Sequence, residues 1–333
     1  MSDRPWPAGS ATALGSLPGT DPVEAARLVF GELPDLPHLP ELPDRGAGAD
    51  LIGRAAALLV DPAVEIVPSG WRITSRAGRD LRRAQDFLAR DLDALEAVAD
   101  GYVGALKVQV AGPWTLAASV EVPSGHRVVR DHGATRDLAD SLTEGLRAHL
   151  GDVGSRVPGA RLVVQVDEPA LPAVLAGSVP TPSGYGTVRA VPAEVVEQTL
   201  RAVLGVAPPG ARVVHCCAAD APIAVLRSAG ADAVAFDLAL LGDGHYDALG
   251  EAVDAGTSLW LGVLPTLDAA ITLDTARAPI RLLWNALGFP IGQLAASVVP
   301  TPACGLAGAS PAYVRRVLSL LRDTGHALLD DSE

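Results

Sequence analysis

The chain has 333 residues, 26 of them basic and 39 acidic, for a net charge of −13. That acidity excludes a general nucleic-acid binder, whose phosphate contacts need basic stripes, and 49% hydrophobic with 20% charged residues excludes wholesale disorder. Three cysteines, two of them adjacent, cannot form a disulfide framework in so long a chain; they suit a reducing compartment, and a cytoplasmic location is expected.

In chain order, residues 1–10 carry acid, base and two prolines but no apolar run, and read as a short tail rather than a secretory signal. A first strand is predicted over 12–17 and a short helix over 22–30. Residues 32–45 contain LPDLPHLPELPDR, whose prolines forbid a continuous helix. A second strand is predicted near 64–66 and a long helix over about 78–99. Beyond residue 100, strand-like and helix-like text alternates. Strands are predicted over 106–110, 161–166, 212–214, 233–236, 258–263 and 296–299. Helices are predicted over 135–153, 193–206, 221–228, 246–255, 273–287 and 312–323. The strand runs lack polar alternation, the pattern of strands buried on both faces of a parallel sheet. Repeated βα units with eight strands predict an α/β fold, a (β/α)8 TIM barrel with N-terminal additions. One domain is expected over 11–326, followed by an acidic tail at 327–333. The uncharged stretch 282–314 is broken by Pro290, Pro300, Pro302 and Pro311, so no membrane span is expected.

Barrel enzymes collect their chemistry at the C-terminal ends of the strands. Here those ends carry Gly15-Ser16, Gly112-Pro113-Trp114-Thr115, Asp167-Glu168, His215-Cys216-Cys217, Asp237 and Cys304-Gly305. In extended backbone, residues i and i+2 point to one side, so His215 and Cys217 can face one ion. Cys304 ends the last strand, which closes beside the first, and Asp237 ends the strand next to His215. One imidazole, two thiolates and a carboxylate suit a tetrahedral zinc ion. A lone cysteine is most often buried filler, and Cys216 is read that way. Asp167 is a candidate anchor for an amino-acid ammonium, with helix capping the simpler role for it and for Glu168. The Gly15-Ser16 turn offers N–H groups and a hydroxyl to a substrate carboxylate.

The strings GSLPGT at 15–20, QVDEPAL at 165–171, HCC at 215–217 and PACGL at 302–306 resemble the catalytic barrel of cobalamin-independent methionine synthase. The wider group includes uroporphyrinogen decarboxylase and zinc-dependent thiol methyltransferases. The resemblance covers about residues 10–325 and implies a zinc site of His215, Cys217, Cys304 and, in place of the family's Glu, Asp237. It further implies that homocysteine's ammonium is held by Asp167 and Glu41, and its carboxylate by Gly15 and Ser16. The expected activity is methyl transfer to the thiol of homocysteine from methyltetrahydrofolate or a methylated corrinoid, the latter brought by a corrinoid protein. Departures fall on the donor side: Ala173 and Ser119 stand where the family has a folate-contacting Glu and an aromatic. The family's catalytic His has no counterpart in Gly262-Val263-Leu264-Pro265-Thr266. A non-catalytic barrel binding zinc or a thiol amino acid is the second expectation. A metal-free decarboxylase-type barrel is the third, disfavoured because no basic cluster awaits a polyanionic substrate.

Overall fold

The computed structural model describes residues 4–332. Helix α1 (Pro22–Glu32) is followed by α2 (Leu51–Leu58), the hairpin β1 (Ala63–Val67) and β2 (Gly70–Thr74), and α3 (Arg79–Val98). Then come β3 (Gly104–Ala111), α4 (Pro113–Ser119), α5 (His132–Arg156), β4 (Ala160–Asp167), α6 (Leu171–Ala176) and α7 (Ala193–Leu204). The chain continues through β5 (Arg212–Cys216), α8 (Ile223–Ser228), β6 (Ala233–Asp237) and α9 (Tyr246–Asp254). It ends with β7 (Ser258–Leu264), α10 (Leu273–Leu287), α11 (Leu294–Ser297), β8 (Val298–Pro302) and α12 (Pro311–Ser332). Asp21 and Asp50 start α1 and α2 by accepting the free N–H groups of their first turns.

Strands β3 to β8 form one parallel six-stranded sheet in sequence order. Its outer face, with Leu106, Val108, Val110, Val164, Val166 and Val214, packs against the surrounding helices in the main core. Its inner face carries small or branched residues, Ala105, Val163, Val213, Ala233, Ala235 and Val299, around Trp260. Both faces are buried, which is why the strands read as largely apolar runs.

Of the eight expected strands six form the parallel sheet; the first, 12–17, is an extended segment, and together with residues 37–41, which were not expected as a strand, it makes only isolated bridges. Residues 12–17 lie beside β8, with Thr12 N–H donating to Pro300 O at 3.4 Å and Leu306 N–H to Ser16 O at 2.8 Å. Residues 37–41 lie between that segment and β3: Leu17 N–H donates to Glu41 O at 2.9 Å, and Leu39 N–H to Lys107 O at 2.9 Å. Pro37 and Pro40 bring no N–H, so a continuous ladder cannot form there. The strand expected at 64–66 does form, as β1, but it pairs only with β2 in an antiparallel hairpin outside the main sheet. The position beside β3 is taken by the proline-rich segment.

The predicted tails are packed against the fold where they are described. Trp6 is buried and meets Trp260 edge-on, ring centroids 5.3 Å apart, closing the inner core at the N-terminal ends of the strands. At the other terminus α12 runs on to Ser332, and Asp331 pairs with Arg277 and Arg281. Trp6→Ala is expected to cost about 3–5 kcal/mol by leaving a cavity against Trp260. The check is a lower denaturant midpoint at unchanged slope; a variant as stable as the wild type would show that the segment around Trp6 is dispensable. Among the described residues no helix is long and apolar enough to cross a membrane.

Candidate functional site

Parallel register sets the site. Asp167 at the end of β4 pairs with Ala111 of β3 on one side and His215 of β5 on the other. Side by side on the inner face, Asp167 Oδ1 and His215 Nδ1 lie 2.7 Å apart. Gln165 Nε2 donates to the same Oδ1 at 2.7 Å and to Leu14 O at 2.9 Å. With Nδ1 engaged by the carboxylate, Nε2 is the His215 nitrogen left for another partner; it is buried and has no hydrogen-bond partner.

His215 belongs to a tight group with Cys217 and Cys304, one ligand atom from each lying within 4.8 Å of the others. The two sulfurs are 3.0 Å apart and share a hydrogen bond. Sharing one proton drives the thiols apart in acidity. Cys304 falls to about 4, helped by the His215 ring against the opposing effect of burial, while Cys217 is pushed up. Burial works against a charged His215, but the Asp167 hydrogen bond and the Cys304 thiolate outweigh it and lift the imidazole to about 9. Two cysteines and an imidazole whose Nε2 proton an incoming cation would displace form a donor set for a borderline-soft cation.

Asp237 stands apart from this group. Its Oδ1 accepts from Ala239 N–H at 2.9 Å and caps the turn that follows β6. Aspartate is one methylene shorter than the glutamate expected there, and its carboxylate is engaged by its own loop. Cys216 points to the outer core and is fully buried, as filler.

The Cys–His group lines a cavity of about 220 Å³ that also presents Ser16, Glu41 and Asp167. The first turn reaches it because two glycines allow close approach. Gly15 sits at φ +135°, where other residues are strained, and a Cβ on Gly305 would come within 1.9 Å of Ser16 Oγ. Glu41 is buried between Arg54, whose Nε is 3.3 Å from Oε1, and Gln109, whose Nε2 donates to Oε1 at 3.2 Å. Burial raises the pKa of Glu41, and Asp167 adds to the rise, while Arg54, Gln109 and Lys107 hold it down. Arg54 is itself clamped by Asp91, which Arg45 also grips.

Glu168 does not enter the cavity. Fully buried, it accepts from Trp114 N–H at 3.0 Å and from Thr115 N–H and Oγ1 at 2.7 Å, and so caps α4. Burial raises it to about 7 against those three donors. Ser119, at the end of α4, accepts from Arg127 through its carbonyl, and Ala173 lies within α6.

Sequence reasoning missed a polar layer beneath the cavity. Lys107, the chain's single lysine, is fully buried on the inner face of β3. Desolvation lowers it to about 7 although Asp167 and Glu41 oppose the fall. His38 lies across a bridge from it, is held neutral by burial and by Lys107, and its ring nitrogens have no partner. The signal was present in LKVQVA and VVQVD, where polar residues recur at i, i+2 inside buried strands.

The family described as cobalamin-independent synthase, catalytic domain, matches residues 10–326. No curated protein sequence matches the chain. Among solved structures, a B12-independent methionine synthase from Shewanella sp. W3-18-1, in complex with selenomethionine, superposes with a TM-score of 0.58 at 12% identity, covering 98% of this chain and 99% of that one. A methyltransferase from Methanosarcina mazei gives a TM-score of 0.57 at 14% identity, covering 99% of this chain and 95% of that one. At these identities the likeness establishes a shared fold; the family match, over nearly the whole chain, establishes descent. The chain belongs to the cobalamin-independent synthase catalytic-domain family.

Proposed function

We propose that the chain is a zinc-dependent methyltransferase that places a methyl group on the thiol of homocysteine, working in the cytoplasm as one barrel domain over 11–326. In this reading the segments 12–17 and 37–41 serve as its first two staves. The observation that carries the proposal is the convergence of a partnerless His215 Nε2 with Cys217 and Cys304 in a cavity that also holds two carboxylates. Family membership supports it, as does a structural neighbour that is a methionine synthase in complex with selenomethionine.

His215, Cys217 and Cys304 would hold the ion, leaving a position for substrate; Asp237, whose Oδ1 accepts from Ala239 N–H, would have its second oxygen to offer. When bound, zinc supplies a nucleophilic thiolate at neutral pH, where a free thiol near pKa ~8.5 is mostly protonated. The remaining work falls to the chain. Asp167 fixes the His215 ring through Oδ1, which leaves its second oxygen, with Glu41, to meet the ammonium group. The Gly15-Ser16 turn offers N–H and hydroxyl to the carboxylate. Anchoring both ends of the amino acid holds its sulfur in line for attack. A cavity of about 220 Å³ is below the roughly 300–1,000 Å³ of typical small-molecule sites, so it suits the acceptor alone and the donor must approach over its mouth. Together with Ser119 and Ala173, this favours a methylated corrinoid over methyltetrahydrofolate.

The test is methionine formation, by mass spectrometry, from L-homocysteine and either methylcobalamin or methyltetrahydrofolate with the zinc-loaded protein. Methionine from methylcobalamin is expected. Homocysteine binding without methionine from either donor would support the second reading, a thiol-amino-acid-binding barrel whose donor side is lost, which the residues Ser119 and Ala173 favour.

A further inference from the structure

Beneath the cavity, Lys107 Nζ donates to Gln109 Oε1 at 3.1 Å, and Gln109 Nε2 donates to Leu39 O at 2.6 Å and to Glu41 Oε1 at 3.2 Å. Leu39 O and the Glu41 carboxylate can only accept, so they take the NH2 end of the amide, and Lys107 is the donor that satisfies its oxygen. Without Lys107 that buried oxygen loses its donor, and the amide must shift to find another, drawing its NH2 away from Glu41. The groups facing Lys107 are Glu41 and Asp167 above it and His38 from the neighbouring segment. No other lysine exists in the chain, and this one is wholly enclosed, where an amine is costly unless it has partners.

We propose that Lys107 is a positioning residue for amino-group recognition: by locking the Gln109 amide it presents Glu41 as a charged acceptor to the substrate's ammonium. This inference rests on the proposal that the acceptor is an α-amino thiol. It separates substrates by one group, because a thiol acid without nitrogen has nothing for Glu41 to hold.

The experiment is calorimetry on zinc-loaded wild type, Lys107→Met and Gln109→Met, titrated with L-homocysteine and with 4-mercaptobutyrate, which keeps thiol and carboxylate but lacks the ammonium. Loss of a charge-assisted contact predicts that both variants bind homocysteine roughly 10- to 100-fold more weakly. Their affinity for 4-mercaptobutyrate should stay near the wild-type value, and KM for homocysteine should rise more than kcat falls. Gln109→Met breaks the same relay without leaving a cavity under the sheet, so it decides the matter if Lys107→Met fails to fold. Wild-type preference for homocysteine that survives both variants overturns the role of Lys107 alone, as does an equal loss for both ligands. A wild type indifferent to the ammonium overturns the α-amino thiol reading, and this inference with it.

Discussion

Replacing Cys217 and Cys304 together by serine is expected to abolish stoichiometric zinc, with affinity falling by well over ~100-fold. Loss of a single partner that merely orients a ligand costs 10- to 100-fold; this double variant removes two of the three converging donors themselves. Serine hydroxyls stay protonated at neutral pH and cannot replace thiolates. The imidazole of His215 would remain with its Nε2 exposed to the cavity, too weak alone to retain the ion. Elemental analysis after dialysis against a mild chelator measures the outcome. Cys216→Ser is the matched control, since that thiol faces the opposite side of β5 in the apolar core and its loss should leave zinc content unchanged. The fold should survive the double substitution, because the two sulfurs end strands at the rim and add little to either hydrophobic layer. Retention of one zinc per chain by the double variant would place the metal elsewhere and remove the basis of the proposed chemistry.

Much of the fold was legible because its signal is local. The strands β3 to β8 are buried on both faces, and each shows as a short apolar run that needs no knowledge of its neighbours. The extended segment 12–17 was legible too; the one at 37–41 was not, for a physical reason. Pro37 and Pro40 lack the N–H that a ladder requires, so the segment beside β3 carries no strand signature, whereas the hairpin β1–β2 does carry one and drew the second strand away from its place. The site divides the same way. His215 and Cys217 were readable from an i, i+2 spacing at a strand end, and Cys304 from its place after the last strand. The pairing of Asp167 with His215 was not, since those residues are 48 positions apart and meet only through the register of β4 on β5. Asp237 shows how local capping competes with a role in the site. Its position after β6 suited a ligand, but its carboxylate found a nearer partner in its own turn.

Asp167 carries two tasks that substitution can separate. Its Oδ1 receives Gln165 Nε2 and faces His215 Nδ1, while in the proposed function the second oxygen meets the substrate's ammonium. Asp167→Ala removes both tasks. Zinc affinity is expected to drop by 10- to 100-fold, as for other partners that orient a metal-binding histidine, and homocysteine binding should be lost with it. Asp167→Asn behaves differently. Gln165 Nε2 is held in place by Leu14 O, so it keeps a donor aimed at the first position and draws the asparagine oxygen there. His215 Nδ1–H then still has an acceptor, its tautomer is unchanged, and zinc should be retained near the wild-type level. The asparagine NH2 now faces the ammonium, which replaces an attraction with a repulsion between donors. Homocysteine affinity should fall roughly 10- to 100-fold, the scale of a lost hydrogen bond to a charged group, with 4-mercaptobutyrate little affected. Zinc analysis and calorimetry on the two variants therefore form a pair. If Asp167→Asn loses zinc as Asp167→Ala does, the charge of Asp167 and not its geometry sustains the site; if neither loses zinc, His215 needs no help from Asp167 and the ammonium contact is its whole contribution.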